Sequence, residues 1–167
     1  MPTPTYTLID STVLGSSASS VTFSGISATG KGDLVLIAEY YSTGTSTSLR
    51  PRFNSDTGSN YSYVYAAGNG SSATSFAATL DYLRTTSFDV ATASSPHFAI
   101  IQIMDYSATD KHKSVLVRGN QTQTYPGAGA IAGRWANTNA ITQIDCNTNG
   151  TDFAAGSSFY LFQIVSE

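Results

Sequence analysis

Apolar and polar residues alternate with a period of two, or form short apolar runs, between clusters of Gly, Ser, Asn and Asp along the whole chain. That pattern predicts strands and turns, because successive strand side chains point to opposite faces. Thr5 to Leu14 begins with Tyr6, Leu8 and Asp10 on one side, and Val21, Phe23 and Gly25 mark a second short strand. Asp33 to Tyr41 is apolar on both faces through Leu34, Val35, Leu36 and Ile37, as suits a central strand. Ser48 to Asn54 contains Pro51, which cannot donate to a ladder, so it predicts an edge strand or a bulge. Asn60 to Ala66 sets Tyr61, Tyr63 and Tyr65 against Ser62, Val64 and Ala66. Phe76 to Leu83 reads equally as strand or helix. His97 to Tyr106, Lys113 to Arg118, Ala130 to Trp135, Ala140 to Cys146 and Ser158 to Val165 complete the strands. Gly68 to Ser75 and Tyr125 to Gly129 read as long loops. About ten short strands with turn-rich connections predict an all-β antiparallel β-sandwich, jelly-roll-like, in a single domain. The expected organisation is an N-terminal strand or arm over 1–9 and the sandwich over 10–167.

Length agrees with one domain: 167 residues are enough to bury a core without disulfide or metal staples. Charge changes the picture more. Charged residues make up 11% of the chain, against roughly 25% in an average soluble domain. Lys and Arg total 8 and the net charge is −3, too little basic charge for a phosphate-binding patch or an anionic membrane, so neither nucleic acid nor membrane is expected as a partner. Ser and Thr supply roughly a quarter of the chain, so the surface is expected to be mostly hydroxyl and amide. No apolar run approaches the ~18–20 residues of a membrane helix. The first residues carry no basic and apolar leader pattern, so no signal peptide is expected. The one cysteine, Cys146, excludes an intrachain disulfide and reads as a small buried hydrophobe.

Candidate chemistry is sparse. His97 opens a strand and His112 lies in a charged turn; no Gly-x-Ser-x-Gly elbow singles out a nucleophile, and no enzyme is expected. Glu39, on a central strand, reads as an outward-facing acid or one paired with an Arg across the sheet. Asn54, Asp56 and Asn60 place oxygens at spacings like the start of a calcium loop, but Gly58 supplies no side-chain oxygen and no Glu closes the loop. A hairpin connection is the favoured reading, with a weakly bound cation the alternative and no cofactor expected. Tyr61, Tyr63 and Tyr65 support two readings: an adaptable binding or sugar platform, or one packed sandwich face.

Several segments together carry a resemblance. They include Thr5-Tyr6-Thr7-Leu8-Ile9, Arg52-Phe53-Asn54 running on to Tyr63, and Trp135-Ala136-Asn137-Thr138-Asn139-Ala140-Ile141-Thr142. In order along nearly the whole chain these resemble a family of small tailed-bacteriophage virion structural proteins, found in cyanophages and other aquatic phages. The likeness departs over Phe76 to Asp110. The resemblance implies a sandwich module that attaches to a particle, often as a homotrimer, with no catalytic residues. It points first to a capsid decoration (cement) protein held by the major capsid protein or other virion proteins. In that reading the segment Met1 to Ile9, with Pro2, Pro4 and Tyr6, is an arm that grips shell or neighbour. The chain would be made in host cytoplasm and reside in the virion. The rival is a fibre or spike module that binds a host-surface glycan, with Trp135 and the Tyr61 to Tyr65 run exposed in a shallow groove.

Overall fold

β-Branched and aromatic side chains at alternate positions fit a pleated surface, and each such run becomes a strand. The computed structural model of the chain describes residues 5–44, 47–86, 92–121 and 128–164. Among these residues lie β1 (Tyr6–Val13), β2 (Ser20–Phe23), β3 (Asp33–Tyr40), β4 (Arg50–Phe53), β5 (Tyr61–Gly68) and β6 (Ala73–Leu80). They are followed by β7 (His97–Met104), β8 (Lys113–Gln121), β9 (Ala128–Trp135), β10 (Ile144–Asn147) and β11 (Ser158–Ile164). The expected all-β antiparallel sandwich forms, with layers of unequal size. One sheet has eight strands in the order β1-β11-β3-β7-β8-β9-β5-β6, and the other has three in the order β2-β10-β4. No helix of the described residues is long and apolar enough to cross a membrane.

The predicted elements land where the alternation put them, with instructive exceptions. β6, ambiguous between strand and helix, is a strand because it pairs with β5 along its whole length, from Tyr61 opposite Leu80 to Gly68 opposite Ala73. The long loop expected over Gly68 to Ser75 contracts to the hairpin turn 69–72. There Asn69 Oδ1 accepts from the backbone N–H groups of Ser71 and Ser72, while Gly70 takes φ +87°. Most of the second expected loop, Tyr125 to Gly129, lies outside the described residues; Ala128 and Gly129 open β9. β4 is the edge strand that Pro51 demands, with Pro51 opposite Cys146. Its outer side is closed by the 81–86 segment: Leu83 N–H donates to Pro51 O at 2.8 Å, and the Arg52 guanidinium pairs with Asp81 at 2.6 Å.

Layer size decides what is covered. At ~4.8 Å per strand spacing, the large sheet is roughly 34 Å across and the small one about 10 Å. The small sheet and its loops therefore seal only the middle of the large sheet. Phe53 of β4 packs edge-on against Trp135 at 5.6 Å, and Phe153 packs on Phe159 at 5.0 Å. Two tyrosine tips inside this core are satisfied across the layers: Tyr40 Oη accepts from Leu49 N–H, and Tyr61 Oη accepts from Phe53 N–H, each at 2.9 Å.

The same side-chain row reports the cover strand by strand. Leu161, Leu36, Ile101, Val117, Ile131, Tyr65 and Phe76 lie in register across the sheet on the face toward the small layer. The first five are buried, Tyr65 is half-buried, and Phe76 on β6 is 54% exposed. At the other end β1 pairs with β11 and is exposed along nearly its whole length. A register shift between Leu8 and Asp10 puts a bulge at Ile9, so the strand runs through the expected arm boundary.

Candidate interaction surface

The calcium-like stretch is an internal clamp. Asn54 and Ser55 both have positive φ, and this left-handed turn swings the loop over the sandwich end. Asn54 Nδ2 donates to Ala140 O at 2.8 Å, and its Oδ1 accepts from the N–H groups of Thr142 and Gln143 at 2.9 and 3.2 Å. Asp56 accepts from Trp135 Nε1–H at 2.7 Å, Gly58 N–H at 2.9 Å and Asn60 Nδ2–H at 2.9 Å. Burial pushes the Asp56 carboxyl up, but the hydrogen bonds from Trp135, Asn60 and Gly58 outweigh it and hold the group below its usual range. The side-chain oxygens of Asn54 and Asp56 already accept N–H donors. Among the described residues no cluster of His, Cys, Asp and Glu has metal-binding geometry. The hairpin reading of Asn54, Asp56 and Asn60 is the one the contacts support.

The other titratable candidates are dispersed. His97 is buried at the start of β7, its ring 5.4 Å from that of Tyr40 and its Nδ1 without a hydrogen-bond partner. Burial pulls its pKa down to about 4. Its burial corrects the surface or strand-edge setting that its place at a strand start suggests. His112 is exposed in the turn before β8, and Glu39 is exposed on the outer face of β3. Lys113 is fully buried, its ammonium donating to Ala108 O at 2.7 Å, Lys111 O at 3.2 Å and Thr138 O at 3.3 Å. Burial lowers its pKa, and the three carbonyls compensate in hydrogen bonds what they do not supply in charge. Cys146 is buried in β10, where burial pushes its thiol up, as a packed small hydrophobe requires.

The proposed aromatic platform is mostly inside. Trp135, Tyr61 and Tyr63 are buried, contrary to the exposed groove that the glycan-binding alternative expects. They face the small sheet: Tyr61 stacks with Trp135 at 6.4 Å, and Tyr63 with Tyr65 at 6.4 Å. Packing of one sandwich face is thus the reading that holds for the tyrosine run, with only Tyr65 half-buried at its end. Of the arm residues, Pro2 and Pro4 lie outside the described residues, and Tyr6 is exposed on β1.

What the fold leaves open is the large sheet's second face and both its ends. The outer face carries Val64 at 54% exposure, with Phe98 and Tyr160 also exposed and Ile37, Ile100, Leu116 and Phe162 half-buried. Between them lies an open groove of about 900 Å³ floored by small residues such as Ala66, Ala73 and Ala130, with Phe98, Ile100 and Arg118 along it. Glu39, Arg118 and Arg134 are the charged residues exposed on its strands β3, β8 and β9. Sequence reasoning missed Val64, Phe76 and Phe98 as surface groups, because alternation names a face without saying what covers it. One signal was present: residues 61–80 contain no charged side chain. Comparison with protein-family models, with curated proteins and with solved structures finds no match for the chain.

Proposed function

We propose that this chain is a structural subunit of a phage virion, a capsid decoration protein that docks on the shell through the open part of its large sheet. The observation that carries the reading is the uncovered apolar, nearly uncharged sheet face. Contiguous apolar surface of this kind marks interaction sites in soluble proteins. Its hydroxyl, amide and small apolar groups make contacts without burying unpaired charge. The resemblance in the sequence supplies the setting, with the major capsid protein as partner. Burial of Trp135, Tyr61 and Tyr63 weighs against the glycan-binding alternative, which needs those rings at the surface. The test is co-sedimentation with undecorated phage capsids. Pelleting that saturates at a fixed ratio per capsomer is expected. Protein that stays in the supernatant but binds host cells or their polysaccharide overturns the reading in favour of a fibre or spike module.

A further inference from the structure

We propose that the free edge of β6 pairs antiparallel with the same edge of a second copy across a two-fold axis at Ala77, joining two large sheets into one. The proposal does not depend on the virion reading.

An edge strand offers a row of unpaired N–H and C=O groups, and natural proteins blunt such edges with Pro, charges, bulges or a covering loop. Among the described residues β6 has none of these. Its sequence, Ala73-Thr74-Ser75-Phe76-Ala77-Ala78-Thr79-Leu80, has no charge, Pro or Gly, and it pairs with β5 without a register shift. It is last in the sheet order, and its side chains are exposed on both faces apart from half-buried Ala78 and Leu80.

Charge selects the occupant. A two-fold axis sets the strand against its own copy and residues near the axis close to themselves, so like charges there repel while an uncharged edge meets no such repulsion. The whole β5–β6 hairpin, residues 61–80, is uncharged in a chain that carries 11 acids and 8 bases elsewhere. The opposite edge, β1, carries Asp10 beside a bulge, so self-pairing there would put a carboxylate of each copy in the seam.

Register follows from the pleat. An axis normal to the sheet keeps both small layers on one side, so paired residues must share a face. With Ala77 on the axis, Phe76 lies opposite Ala78 of the second copy and Thr74 opposite its Leu80, all on the face toward the small layers. Ser75 lies opposite Thr79 on the other face. The Phe76 ring already leans on Tyr63 and Tyr65, at 6.5 and 6.1 Å, and the second copy covers its open side. Pairing over residues 74–80 forms roughly six to eight ladder bonds. That approaches the ~10 direct hydrogen bonds of a typical interface.

The experiment combines light scattering with cysteine cross-linking of the full chain. The wild type is expected at a two-chain mass, and Ala77→Arg at a one-chain mass with unchanged strand circular dichroism. Mild oxidation of Ala77→Cys is expected to give a covalent dimer, since Cα atoms of opposed residues at ~4.5–5.5 Å suit a disulfide. Ser71→Cys, in the hairpin turn away from the axis, is expected to give none, and buried Cys146 stays silent. A wild-type mass of one chain, or of the three that the resemblance implies, overturns the proposal. So does an Ala77→Cys protein whose thiol reacts with a small reagent yet forms no dimer. Should Ala77→Arg fail to fold, the wild-type mass and the cross-link decide. Failure of capsid binding leaves both readouts untouched, so the two proposals fail separately.

Discussion

Leu36 and Phe76 stand in the same row and on the same face of the large sheet, yet Leu36 is wholly buried and Phe76 is more than half exposed. The same alternation rule oriented both. What separates them is the reach of the opposing layer, three strands wide against eight. The central region is a closed two-layer core in which the Tyr40 and Tyr61 hydroxyls are paired across the layers. The hairpin β5–β6 projects past it, single-layered at its edge and free of charge. Apolar residues therefore meet two fates in one sheet: they are packed into the core in the middle and left exposed at the rim.

The contrast makes quantitative demands. Phe53→Ala should remove ~3–5 kcal/mol, because Phe53 fills the space between Trp135 and Tyr61 at the layer junction. A urea midpoint close to that of the wild type would show that the centre is no better packed than the rim. Acid should also strike the centre. The unfolded chain protonates His97 near its ordinary 6.5, whereas the folded chain resists until about 4. Stability is therefore full above pH 6.5 and falls as pH drops toward 4, by up to about 3 kcal/mol. Urea titrations at several pH values should show that slope in the wild type and lose it in His97→Phe.

Asp56→Ala should cost ~1–3 kcal/mol by leaving the buried Trp135 Nε1–H unpaired. Asp56→Asn, which retains an acceptor, should cost less, and denaturant midpoints rank the two. At the rim the effect should be smallest. Phe76→Ser, made in the Ala77→Arg background to remove association, should shift subunit stability by only about 0.5 kcal/mol. A shift as large as that of Phe53→Ala would abolish the distinction between the two regions.

Much of the architecture was legible in the residues. Leu34 to Ile37, apolar on both faces, marked a central strand, and Pro51 marked an edge, each for a reason local to the backbone. The favoured hairpin reading of Asn54 to Asn60 was local too, since Asx side chains build turns from their own neighbourhood. The misplacements were all questions of what lies opposite. The glycan-binding alternative put Trp135 and Tyr61 at the surface, where Phe53 of the other layer packs on them, and the cation alternative gave Asp56 an ion, where Trp135 supplies a donor from a strand 79 residues away. Phe76 to Leu83 hovered between strand and helix until pairing with β5 decided it.

Strand identity, turn chemistry and the near absence of charge are properties of short stretches, so they follow from side-chain shape and backbone preference alone. Burial and exposure of those same stretches depend on strand order and on the width of each layer, which arise from contacts between residues far apart in the chain. Only once eight strands had joined one sheet and three the other was it decided that Leu36 is core and that β6 is left with an open edge.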